Sequence, residues 1–147
     1  MLVELERLAK SPASQLAEVV ISGLRGRVGP LLGRVSEQYR HPAPTSRRFQ
    51  PGAQLLGAGL ARHDLSRHCL RSALLIGADL RGATLNRTDV LGADLRDAQL
   101  AGADLRGAIF LTQQQVDAAQ GDRDTRLPAG LKTPDHWDWQ GGNRRVE

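Results

Sequence analysis

The sequence predicts an all-β solenoid that turns a corner every five residues, and three observations carry that reading. Leucine stands at 55, 60, 65, 70, 75, 80, 85, 95, 100 and 105, with Val90 and Phe110 completing the series. Two positions earlier stands alanine at 53, 58, 73, 78, 83, 93, 98, 103 and 108, interrupted by His63, His68 and Thr88. Asp64, Asp79, Asp89, Asp94 and Asp104 directly precede the large residue. Leucine makes up 23 of the 147 residues, so ten of twelve positions in one phase lies far above composition. A fixed period means stacked, near-identical units.

Five residues fits neither the 3.6 of a helix nor the 2.0 of a long strand. On a helix, Leu55, Leu60 and Leu65 would wander around the cylinder and leave no buried stripe. Four corners instead close a square coil of about twenty residues, and coils stack at roughly 4.8 Å, the strand spacing. Alanine at the second inward position lets four walls approach one axis. Aspartate beside it suits a corner, where short polar side chains bond local backbone. Glycine at 57, 77, 82, 92, 102 and 107 falls where a corner needs an unrestricted backbone. Twelve units make about three coils, a stack about 15 Å tall.

The segments Ala78-Asp79-Leu80-Arg81-Gly82, Ala93-Asp94-Leu95-Arg96-Asp97 and Ala103-Asp104-Leu105-Arg106-Gly107 resemble the A(D/N)Lxx repeat of pentapeptide repeat proteins. The resemblance covers about two-fifths of the chain. It implies a right-handed quadrilateral β-helix, with the central leucine and the preceding alanine facing inward. Such a scaffold names no function by itself. Some members of the family protect DNA gyrase from quinolones by presenting an acidic, rod-like surface that mimics DNA.

Residues 1–40 read as an α-helical N-terminal extension. Ser11 followed by Pro12 is a helix start. Leu16, Val19, Val20, Leu24, Val28, Leu31, Leu32 and Val35 then trace an apolar face at helical spacing. Gly29-Pro30 is expected to break this run into two helices. Residues 41–52, with three prolines between His41 and Pro51 and the pair Arg47-Arg48, read as a linker into the block at 53–110. The charge excess sits here too: residues 1–50 carry eight basic and four acidic groups, the repeat block seven and six. Arg25, Arg27, Arg34, Arg40, Arg47 and Arg48 form a candidate basic surface.

Residues 111–147 read as a short capping helix and tail. Thr112 and Gln115 make a capping box, with Leu111 and Val116 placed as its hydrophobic staple. The helix should run to about Ala119 and stop before Gly121. Leu127-Pro128, Leu131, Trp137 and Trp139 read as an extended tail, and Phe110 as the centre of a wider last layer beneath the cap.

A single cysteine, Cys69, excludes an intrachain disulfide. The start, Met1 to Glu6, lacks the basic and apolar regions of a signal peptide. No run approaches the ~18 apolar residues of a membrane span. The expectation is a cytoplasmic protein with no membrane partner. His63, Asp64, His68 and Cys69 lie within seven residues, but the histidines take small-residue positions on adjacent walls. With no fourth ligand evident, no metal is assigned. No nucleophile elbow, P-loop, H-E-x-x-H or dinucleotide fingerprint occurs. The repeated carboxylates are turn formers, so no catalytic residue and no cofactor is expected.

Outward positions carry the functional reading. Leu56, Leu74 and Ile76 fall on one wall, and Leu91, Ile109 and Leu111 on another; exposed apolar patches mark docking surfaces. The plainer expectation is that Leu16, Val20, Leu24 and Val28 cover the first patch and the tail covers the second. A partner or a second subunit is the alternative. The repeat block balances seven arginines against six aspartates, and its ~15 Å is less than half of a ~34 Å duplex turn. DNA mimicry is therefore disfavoured, while binding a topoisomerase stays open. Nucleic-acid binding by the arginines would be salt-sensitive and lacks interleaved aromatics. The sequence points to a non-catalytic protein-interaction or structural scaffold with a protein partner, or a homodimer. A gyrase-interacting, quinolone-resistance-type protein comes second, and a basic nucleic-acid binder third.

Overall fold

Every fifth residue finds the same interior. The computed structural model of the chain describes residues 13–138, with side-chain surroundings from Gly26 to Trp137. Parallel bridges join residues twenty apart: Gln54 to Leu74, Gly59 to Asp79, Asp64 to Thr84 and Cys69 to Asp89. The next coil repeats the set, from Leu74–Asp94 to Asp89–Ile109. Four bridges per twenty residues give each coil four walls. A wall offers one bridged residue before the chain turns, so among the described residues the coils are built of bridges without regular strands.

Backbone polarity is satisfied by a fixed rule, as a buried backbone requires. In the unit around Leu80, Asp79 donates its N–H to Ala58 one coil earlier, at 2.9 Å. Leu80 and Gly82 donate forward to Gln99 and Ala101, at 2.8 and 2.9 Å. Ala83 closes the corner by donating back to Leu80 at 3.0 Å. Leucines 60, 65, 70, 75, 80, 85, 100 and 105 are wholly excluded from water, as are alanines 73, 78, 83, 98 and 103.

The corners call for a left-handed residue. Glycine supplies it at Gly77 and Gly82, but Arg62, Arg67 and Arg87 adopt it as well, with φ of 59°, 63° and 57°. Gly107 departs from the expectation, because its φ is not positive. Its lack of a side chain matters for space instead, since a Cβ there would strike the Asn86 amide. The corner moves to Phe110, which has φ of 62° and lies half-buried, 5.7 Å from the Arg71 guanidinium. Phe110 is thus not the centre of a wider last layer. The frame ends at Leu105, and a phenylalanine two residues past an inward alanine makes the turn.

Ahead of the coils, helix α1 runs Ala13–Arg40 without interruption, through Pro30. The expected break does not occur. Proline removes one helical hydrogen bond and crowds the carbonyl four residues back. Here that residue is Gly26, and residues 26–31 are all exposed, so water can serve the freed carbonyl. The Ser11–Pro12 start and the side chains of Leu16, Val19, Val20 and Leu24 lie outside the described residues. The chain divides into two compact units, 1–38 and 39–147. Within the second, Arg40 donates to the Arg67 carbonyl at 3.2 Å. Phe49 packs on the core and meets His68 edge-to-face at 5.2 Å.

At the other end stands α2, Gln113–Ala118, opened by the capping box that the sequence predicts. Thr112 N–H donates to Gln115 Oε1 at 2.9 Å, and Gln115 N–H returns to Thr112 Oγ1 at 3.3 Å. Gln115 Nε2 also donates to the Val90 and Ala93 carbonyls at 2.9 and 2.8 Å. An amide side chain thus takes the place of a further coil. Past α2 the backbone rejoins the ladder, with Leu100 donating to Gln120 and Leu105 to Arg126. The tail is not extended. Trp137, in the 3-10 turn Asp135–Asp138, is 1% exposed and donates Nε1–H to the Ala119 carbonyl at 2.9 Å. It lies so close over Gly121 that a Cβ there would sit 2.6 Å from the indole. Trp139 lies outside the described residues.

Candidate interaction surfaces

The twenty-residue register decides which outward residues meet. It stacks Leu56 against Ile76 on one wall, with Leu74 bridged between Gln54 and Asp94 beside them. Leu56 is 56% exposed, and Leu74 and Ile76 are half-buried. Of the residues expected to cover this wall, Leu16, Val20 and Leu24 have side chains outside the described set, and Val28 is 41% exposed. The second patch is also brought together: Leu91, Ile109 and Leu111 are half-buried, and Leu111 packs against the core. An open groove of about 450 Å³ runs past Leu91, Phe110 and Gln115.

The charges on the walls pair within a unit. Arg81 donates Nε and Nη2 to the two oxygens of Asp79 at 2.8 and 2.7 Å. Arg96 holds Asp94 and Arg106 holds Asp104 in the same two-pronged way. The Arg81 side chain draws the Asp79 carboxyl down to about 2, and its backbone N–H adds to the effect. Arg106 does the same to Asp104, again to about 2. These clips were not foreseen, yet a signal existed. Residues i and i+2 of an extended wall share a face, so the outward neighbours of Leu80, Leu95 and Leu105 had to face each other. Asp89 differs in being fully buried, where it accepts from Arg71 Nε at 2.5 Å and from Leu91 N–H at 3.0 Å.

The residues of the candidate basic surface are divided between the two units. Arg40 is buried to 9% exposure in the coil unit. Arg47 and Arg48 are exposed, and Arg48 lies 5.3 Å from the Phe49 ring. Arg27 and Arg34 are exposed on α1, and the Arg25 side chain lies outside the described residues. Around the histidines, His63 is exposed and Asp64 is occupied by the Ser66 N–H at 2.9 Å. His68 Nδ1 is buried without a hydrogen bond. Among the described residues no three histidine, cysteine or acidic side chains come together as a metal site. Among them, too, no helix is long and apolar enough to cross a membrane.

Comparison with known proteins finds the same five-residue repeat. The family described as pentapeptide repeats matches residues 73–110 with eight copies. Uncharacterized protein YybG of Bacillus subtilis (strain 168) is 48% identical over 138 residues, covering 91% of this chain and 49% of its own length. A solved structure of a pentapeptide repeat protein (Rfr23) from the cyanobacterium Cyanothece 51142 is 32% identical. It covers 52% of this chain and 48% of its own, with a TM-score of 0.33. That of alr5209, a pentapeptide repeat protein from Nostoc Pcc 7120, is 31% identical over 68% of this chain and 87% of its own, with a TM-score of 0.31. The chain spans about half the length of YybG and of the Cyanothece protein. With its matched copies lying on the coils and sharing their five-residue frame, the chain belongs to the pentapeptide repeat family.

Proposed function

We propose that this protein is a non-catalytic interaction scaffold, a right-handed quadrilateral β-helix whose wall at Leu56, Leu74 and Ile76 docks a protein partner. One observation carries the reading. Leu56 stands 56% exposed in line with Ile76, on a stack whose leucines at the five-residue frame positions face inward. A large apolar side chain held open on a rigid wall is what a docking surface offers. The paired charges favour this reading over a gyrase-directed DNA mimic, since Asp79, Asp94 and Asp104 are each neutralised by an adjacent arginine. An acidic rod needs free carboxylates.

Cross-linked recovery of partners from the source cell, with Leu56→Arg and Ile76→Arg beside the parent, tests the proposal. The expected result is loss of a specific partner from the Leu56→Arg protein with its melting point unchanged. A partner profile unaltered by both substitutions sinks the reading. A supercoiling assay with and without a quinolone addresses the second reading. Gyrase activity and its inhibition are expected to be the same whether or not the protein is present.

A further inference from the structure

We infer that the corner carrying Arg67 and Arg87 binds a phosphate monoester, its dianion held between the two guanidinium groups. The seven arginines of the repeat block fall into two classes. Arg71, Arg81, Arg96 and Arg106 lie on walls, where they hold the carboxylates of Asp89, Asp79, Asp94 and Asp104 in turn. Arg62, Arg67 and Arg87 stand at corners with left-handed backbones. Among the described residues none of these three forms an ion pair. A left-handed conformation is costly for a residue with a side chain, and glycine takes it at Gly77, Gly82 and Gly92. Strain kept in place points to a use for the side chain.

Two of the three share a corner. Arg67 N–H donates to the Asn86 carbonyl at 2.9 Å, and Arg87 N–H to the Gly107 carbonyl at 2.8 Å. Arg67 therefore stands one coil from Arg87, about 4.8 Å along the ladder. Both are braced by residues just ahead of the coils. The Arg87 guanidinium lies 5.5 Å from the Tyr39 ring, a stacking that limits its freedom. Arg40, 9% exposed, donates Nη1–H to the Arg67 carbonyl at 3.2 Å and brings a third guanidinium to the corner. The Asn86 amide, for which Gly107 leaves room, makes no hydrogen bond among the described residues and supplies a neutral donor. The carboxylate that feels Arg67 is Asp64. It is occupied by the Ser66 N–H at 2.9 Å, and Arg67 is the weakest influence upon it.

The walls show what a carboxylate requires. Arg81 alone satisfies both oxygens of Asp79, at 2.8 and 2.7 Å. Two unpaired guanidinium groups one coil apart suit a group with a second charge and a third oxygen, which a phosphate monoester offers. Nucleic-acid phosphates carry one charge each and call for a line of cations, whereas this column of arginines ends at Gly107. Free phosphate and a phosphorylated side chain share the chemistry that the corner recognises. The corner does not border the wall of Leu56, Leu74 and Ile76, so the inference is independent of what that wall docks.

Proton–nitrogen NMR of the full chain at low ionic strength reads the site, with inorganic phosphate, N-acetyl-phosphoserine amide and dimethyl phosphate as probes. Saturable shifts centred on Ser66, Arg67, Asn86 and Arg87 are expected with the first two, at millimolar concentration or below. Dimethyl phosphate, a monoanion, should bind about tenfold more weakly. Arg67→Gly and Arg87→Gly keep the left-handed corner, and each should weaken binding by about tenfold. Arg62→Gly, at a neighbouring corner, should leave it unchanged. Arg67→Gln and Arg87→Gln take their place if a glycine variant does not fold. Tighter binding of the phosphoserine amide than of inorganic phosphate assigns the site to a phosphorylated chain, and the reverse assigns it to free phosphate. No saturable shift in millimolar phosphate, equal shifts with sodium chloride, or binding that survives loss of both arginines would each overturn the inference.

Discussion

Leu80 shows what one residue of the frame is worth. It is wholly buried, with its N–H bonded to Gln99 in the next coil and its carbonyl accepting from Ala83 at its own corner. Leu80→Asp is expected to unfold the block, because the charge would have no partner in a dry interior. A variant that keeps its β-type circular dichroism and melting point would show the register to be wrong. Arg62 is informative in the opposite sense. A left-handed conformation costs a residue with a side chain about 1–2 kcal/mol, so Arg62→Gly should raise stability by about 1 kcal/mol in denaturant unfolding. The Asp–Arg clips set a pH dependence. Asp79 and Asp104 hold folded values of about 2 against ~4 unfolded. Their contribution is complete above pH ~4 and is lost as pH falls toward ~2. These pairs are open to water, so the loss is small. Melting temperature should be flat above pH ~4.5 and fall modestly below it, and Asp79→Asn should reduce the fall. Inward positions were legible because one residue type recurs at one phase. Phe110 was not, since its phase matched the leucines while its local backbone had already turned.

Among the elements, α2 was legible for a local reason. A capping box lies within four residues and needs no knowledge of the fold. Thr112→Ala should cost about 1 kcal/mol through loss of the cap. Gln115→Leu would keep the helix but remove the side-chain donor to the Ala93 carbonyl and one of the two donors to Val90, and a larger loss in thermal unfolding is expected. Trp137 could not be read from its neighbours. Its place depends on where the frame stops, at Leu105, more than thirty residues earlier. Trp137→Ala should cost about 3–5 kcal/mol, as for other buried aromatics. The continuity of α1 through Pro30 was missed because proline was weighed as a breaker without regard to exposure. Gly29→Ala, with open space around its Cβ, should stabilise α1 by about 0.5–1 kcal/mol, read as helix content.

At the scale of the whole molecule, the stack has two unlike ends. Phe49 and His68 meet at the first coil, while Gln115 and Trp137 close the last. The division of labour was only half visible in the sequence: the pattern located the coils, but apolar residues outside it carried no phase to place them. At the last coil, α2 and the segment after it pair with the edge that would otherwise stay open to another chain. Deleting residues 111–147 should therefore cause association through the last coil, measurable by light scattering. The interior repeats every twenty residues and both ends are built only once. Chain length in this scaffold is accordingly quantised. Duplicating residues 73–92 in place should give a taller, folded protein, because each added turn meets neighbours shaped like itself. Inserting five or ten residues at the same point would rotate everything beyond by one or two walls and strand the closing tryptophan over the wrong side. Such a scaffold can change length only by whole turns.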